Sequence, residues 1–287
     1  MTLKVGIVLS GGGAKGAFEA GALSVLLPYL RSNDMELCAI AGTSIGAFNG
    51  AFVASGQFGD LKDIWHSWDN HNCALTESGF LGPLFSLAVR GYMYRTPYKF
   101  LKENLKVERM MRSRIKYINT AVRLGDGQMY IGGNIKPKSD DLAIREILAS
   151  MAPAPVTPSV KINGEEYVDG GFRDTVPTRA LVDNCGEKLD RVYVISVNPK
   201  ERIWNPAVTM GGTSSLLDRV QFAFNDILWD EALRNDLEWG QQYFQDDGSY
   251  VVVYPEVAHT TGANFSKVRI SAAYAHGIEV MCGMLRS

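Results

Sequence analysis

Cysteine is scarce in this chain: four among 287 residues, at Cys38, Cys73, Cys185 and Cys282, with no Cys-x-x-Cys pair. Their scatter, and the lack of histidines at ligand spacing, argue against a metal centre or a disulfide framework and suit a reducing compartment. An excess of either charge is missing too. Twenty-nine Lys and Arg face 31 Asp and Glu, a formal net charge of −2, so no basic field favours nucleic acid or an anionic membrane. A secretory signal is not read. Met1-Thr2-Leu3-Lys4 leads into a short apolar stretch with no long h-region or cleavage site, and a cytoplasmic location is the expectation. Long apolar runs are rare. The one charge-free stretch with the length to cross a bilayer, residues 37–59, carries five glycines, two serines, a threonine, an asparagine and a glutamine. A buried strand, turn and helix account for it better than a membrane span. No repeat, low-complexity segment or linker divides the chain.

Hydrophobic residues make up 46% of the chain, enough for the core of one large domain over residues 1–287. Leu3–Leu9 reads as a strand ended by Ser10 and three glycines. Ala14–Leu30 reads as a helix, with Phe18, Leu23, Leu26, Leu27 and Leu30 at helical spacing. Glu36–Ala41 is a second short strand and Ile45–Ser55 a small-residue helix. Two strand–glycine turn–helix units in succession predict an α/β fold with a mainly parallel sheet and helices on its faces. A helical insertion is expected around 57–114, with an apolar patch at Phe80–Val89 and aromatics at Tyr92 and Tyr94. Lys116–Arg123 and Met129–Gly132 form a hairpin, and Asp140–Met151 is a helix stopped by Pro153 and Pro155. Asn163-Gly164 turns a second hairpin. Arg191–Val197 and Tyr250–Tyr254 are further strands. A helical C-terminal extension is expected around 214–287, including Leu216–Phe244 and Ser266–Leu285.

Three glycine-bearing turns carry the chemistry. Gly42-Thr43-Ser44-Ile45-Gly46 sits between a strand and a helix, the setting of a nucleophile elbow. There a serine in a strained conformation lifts its hydroxyl clear of the sheet. Side chains two residues to either side would collide, hence Gly42 and Gly46. The bland alternative is a glycine-rich turn whose serine caps the helix. Gly11-Gly12-Gly13-Ala14-Lys15-Gly16 can gather backbone N–H groups around an anion, either an oxyanion or a phosphate. It is no Walker loop, but its GxGxxG reading, with Asp34 and Glu36 about 20 residues on, keeps a nucleotide- or phosphate-binding role open. Asp169-Gly170-Gly171 alone is an ordinary turn.

In this order and spacing the three turns resemble the patatin-like phospholipase family, as does Ile147–Pro155 ahead of the aspartate. The resemblance covers roughly residues 3–200. It implies a three-layer sandwich and a serine lipid acyl hydrolase working by a Ser44–Asp169 dyad, without metal or cofactor. Gly11, Gly12, Gly13 and Ile45 would supply oxyanion N–H groups, and an acyl lipid or phospholipid the substrate, with transient contact at a membrane surface. The family commonly has asparagines between Asp-Gly-Gly and the following proline; here Asp174 and Thr175 precede Pro177. A Ser–His–Asp esterase or acyltransferase is the enzymatic rival, because Ser44, Asp169 and His259 follow α/β-hydrolase order. The short gap between Gly16 and Gly42 argues against that topology.

Overall fold

The computed structural model describes residues 2–69, 97–154, 157–201, 229–245, 247–260, 262 and 264–286. Its strands are β1 (Leu3–Leu9), β2 (Met35–Thr43), β3 (Lys116–Arg123), β4 (Met129–Gly133), β5 (Val160–Ile162), β6 (Glu165–Asp169), β7 (Arg191–Ile195) and β8 (Tyr250–Val253). They form one sheet in the order β5-β6-β3-β2-β1-β7-β8, with β4 also on β3. The run β3-β2-β1-β7-β8 is parallel throughout, and the pairings of β4, β5 and β6 are antiparallel.

Alternation along the central strands builds two cores. Val5, Ile7 and Leu9 of β1, with Ile40, Tyr193 and Ile195, face α1 (Gly16–Ser32), α2 (Ile45–Ala54) and α3 (Phe58–Ser67). Val8, Ala39, Ala41, Val192 and Val194 belong to the opposite face. After the short α4 (Val107–Met111) and α5 (Asp140–Ser150), that face is covered by α6 (Thr178–Asn184) and α7 (Trp229–Tyr243). The last helix, α8 (Lys267–Arg286), lies against α1, where Gly21 and Gly277 let the two backbones touch. Helix, sheet and helix thus form three layers, the architecture that the period-two pattern of buried strands demands.

The expected hairpins and crossovers are present with ends shifted by a few residues. The expected Leu216–Phe244 helix is described only from Trp229. The Phe80–Val89 patch, Tyr92 and Tyr94 lie outside the described residues. Among those residues no helix is long and apolar enough to cross a membrane.

Glu146 of α5 is the main buried charge in the hairpin region. It accepts from Tyr130 Oη (2.6 Å), Gly133 N (3.0 Å) and Lys138 Nζ (2.6 Å). Its side chain is 1% exposed and that of Lys138 7%. Glu146→Ala strands a buried ammonium, a phenol and an amide, and is expected to lower unfolding free energy by about 3–5 kcal/mol. Urea denaturation measures the loss.

One topological detail positions the site. β2 pairs with β3 up to Thr43 opposite Thr120, and β6 begins its pairing at Asp169 opposite Ala121. β4 runs along residues 118–122 of β3 and so occupies the other edge. β2 and β6 therefore share one edge of β3 and run toward each other, and their C-terminal ends meet at the Thr120–Ala121 peptide.

Candidate active site

Ser44 follows the last residue of β2 and precedes the first of α2. Its backbone sits at φ 55°, ψ −122°, outside the regions L-residues favour, a strain of order 1–3 kcal/mol that surrounding contacts must hold. Its hydroxyl makes no capping bond to α2, so the capping-serine alternative fails. The glycines explain how the turn closes. A Cβ on Gly42 would stand 2.2 Å from Gly46 O, and one on Gly46 would stand 2.4 Å from Leu9 O of β1. The collision across the turn is thus with backbone, and for Gly46 with the neighbouring strand. Ser44 N donates to Ser150 Oγ at 2.9 Å. Ser150, at the end of α5, lies in the stretch ahead of the aspartate but had no sequence signal beyond that stretch.

Asp169 closes β6 and is fully buried, and Ser44 is 6% exposed. Asp169 Oδ1 accepts from Gly171 N at 2.8 Å. Oδ2 is buried and has no hydrogen bond of ordinary geometry. Burial raises the Asp169 carboxyl to about 7, while Gly171 N–H and the nearby Ser44 hydroxyl pull in the opposite direction. A carboxylate with one oxygen unsatisfied beside a serine hydroxyl, poised near neutrality, has the character of a general base. Gly170 is required by its approach to Thr120, since a Cβ there would lie 2.5 Å from Thr120 O.

The glycine loop lies against the elbow: an ideal Cβ on Gly11 would be 3.4 Å from Ser44 Cβ. One expectation needs correction. Gly11 N donates to Thr175 O at 2.9 Å, so the first glycine ties the loop down and its N–H is not open to an oxyanion. Among the described residues Gly12 and Gly13 N–H carry no such tie, and Ile45, as the first residue of α2, has no intrahelical acceptor. Gly13 holds φ 58°, and Gly262 O crowds the position its Cβ would take. Gly16 makes room for Ile45. Lys15 Nζ donates to Asn198 Oδ1 at 2.8 Å.

Asp34 and Glu36 are exposed at the N-terminal end of β2, whereas the glycine loop follows the C-terminal end of β1. In a parallel pair these are opposite ends of the sheet, so neither can reach a nucleotide bound at the loop. His259 packs on His276, ring centroids 4.9 Å apart, and its pKa is lowered by burial and by His276. Among the described residues no histidine bonds or perturbs Asp169, which removes the pairing a triad needs.

The departure at Asp174-Thr175 proves to be a junction. Thr43 Oγ1 donates to Asp174 O at 2.8 Å, Thr175 Oγ1 to Gly171 O at 3.2 Å, and Gly11 N to Thr175 O.

The family model for patatin-like phospholipase matches residues 7–182. Lysophospholipase NTE1 of Candida albicans is 28% identical over 218 residues, which is 75% of this chain and 15% of that protein. Lysophospholipase NTE1 of Kluyveromyces lactis is 29% identical over 203 residues, 68% of this chain and 13% of that protein. The chain thus spans a small part of the length of these relatives. Among solved structures, VipD from Legionella pneumophila matches with a TM-score of 0.53 at 14% identity, over 100% of this chain and 67% of that one, a likeness of fold. The family match takes in the glycine loop, the elbow and the Asp-Gly-Gly turn, and extends over more than half of the sequence: the chain belongs to the patatin-like phospholipase family of lipid acyl hydrolases.

Proposed function

We propose that the protein cleaves fatty acyl esters of phospholipids or lysophospholipids through a Ser44–Asp169 dyad. The observation that carries this reading is the strained, uncapped Ser44 hydroxyl beside the buried carboxyl of Asp169, held near pH 7. Asp169 takes the proton of Ser44 Oγ as Oγ bonds to the ester carbonyl carbon. The oxyanion is held by Gly12, Gly13 and Ile45 N–H, each donor lowering the barrier by on the order of 3 kcal/mol. Collapse breaks the bond to the leaving alcohol, which departs with the proton from Asp169. Water then gives its proton to Asp169 and attacks the acyl-enzyme. As the fatty acid leaves, the proton returns to Ser44 Oγ. The relatives named as lysophospholipases make monoacyl phospholipids the first substrates to test.

A fluorophosphonate probe should form one adduct, at Ser44; a chain that only binds lipid or phosphate leaves Ser44 unlabelled. The base works ionised. Acylation rate and kcat/KM should therefore rise with pH through about 7, with unit slope below it, and level off above. A profile flat from pH 5 to 9 would be incompatible with Asp169 as the base.

A further inference from the structure

Asp236 lies on α7, in the C-terminal third of the chain, beyond the part that matches the family model. Its Oδ2 accepts from Thr175 N at 2.7 Å and Val176 N at 3.1 Å. The strap it holds, Asp174–Val176, touches each of the three glycine turns. Thr175 O takes the N–H of Gly11, Asp174 O takes the Thr43 hydroxyl next to Ser44, and Thr175 Oγ1 bonds Gly171 O next to Asp169. Thr175 is 1% exposed. One carboxylate thus fastens the single segment on which oxyanion loop, elbow and base turn all rest.

We propose that Asp236 is a positioning residue of the hydrolase, anchoring the Asp174–Val176 strap and through it the relative placement of Gly11, Ser44 and Asp169. This rests on the dyad reading of the site. Asp236 touches no reacting atom; it acts through backbone groups it bonds. The charges around it are consistent with a tuned anchor. Asp174 faces it from the strap, Arg179 from α6 and Tyr250 from β8. Arg179 is itself stacked on Trp239 of α7, its Cζ 4.6 Å from the ring centroid. Burial raises both aspartates, and the charge of Asp236 raises Asp174 further. Asp174, at the departure from the family pattern, thus lies within electrostatic reach of Asp236.

The test uses the full chain, a short-chain ester and a monoacyl phosphocholine, with rates normalised to sites titrated by fluorophosphonate. Asp236→Ala removes the acceptor. A displacement of even 1 Å at the site costs about 100-fold, so kcat per titrated site should fall by about that factor, with KM within twofold of wild type. Asp236→Asn keeps an oxygen acceptor and removes the charge. It should restore kcat to within a few fold. Wild-type kcat per site in Asp236→Ala overturns the proposal. Should that variant yield no titratable sites, Asp236→Asn decides: a kcat per titrated site 100-fold below wild type overturns the proposal. Failure of wild type itself to label at Ser44 is a different result and defeats the dyad.

Discussion

Asp169→Asn is expected to reduce ester hydrolysis by up to about 10⁴-fold while the fold persists. The amide keeps an oxygen to accept Gly171 N–H but cannot take the Ser44 proton. Ser44→Ala is expected to be at least as damaging, and the double variant no worse than the more impaired single one, because two parts of one proton relay fail together. Stability should move the other way. The folded carboxyl titrates at about 7, against 3.8 for a free one, so the native state binds the proton more tightly than the unfolded state. That contribution to stability is complete below pH 3.8 and is lost as pH rises through about 7. Asparagine carries no charge to bury. Asp169→Asn should therefore be more stable than wild type at pH 8, by an amount of order a few kcal/mol, and lose this advantage at pH 4. Thermal scans at both pH values, beside turnover, read the two effects. Near-wild-type turnover in Asp169→Asn would sink the dyad.

Gly42→Ala is expected to damage both the fold and the reaction. The added carbon would stand 2.2 Å from Gly46 O and 2.3 Å from Gly46 C, backbone atoms at the start of α2 that have no flexible end to swing aside. Relief requires the turn to open, which relaxes the φ 55° conformation of Ser44 and lifts its N–H from Ser150 Oγ. Overpacking of this kind costs about 3 kcal/mol, and the displaced hydroxyl about 100-fold in rate. Gly56→Ala is the control: nothing stands within 4 Å of its Cβ, and its φ of 73° makes it strained without touching the elbow. A Gly42→Ala protein that labels at the wild-type rate would show that the hydroxyl does not depend on this closure.

What could be read from the sequence was local. The glycine loop, the elbow and the first two strand–helix units announce themselves within a few residues, because glycine placement and apolar runs are local properties. Pairings between distant segments leave no such mark. Nothing in Glu165–Asp169 says that β6 will take the edge of β3 that β2 vacates, yet that choice brings Asp169 to Ser44. Gly11, Gly12 and Gly13 are chemically alike in sequence; a carbonyl on Thr175 decides which of them is occupied. Ser150 and Asp236 are single polar residues on helices, indistinguishable there from solvent-facing ones. His259 fitted the order of a triad, but order is blind to the packing that sets it on His276.

The meeting of β2 and β6 on one edge of β3 also sets when, on the proposed mechanism, the nucleophile can meet its base. Synthesis delivers Ser44 and its elbow early, β3 later, Asp169 after that and Asp236 later still. On the proposed mechanism, a nascent or truncated chain carries a nucleophile with neither its base nor its anchor. On that mechanism hydrolytic capacity arrives as a late event of folding, and a cleaved fragment that keeps the elbow alone would lack it.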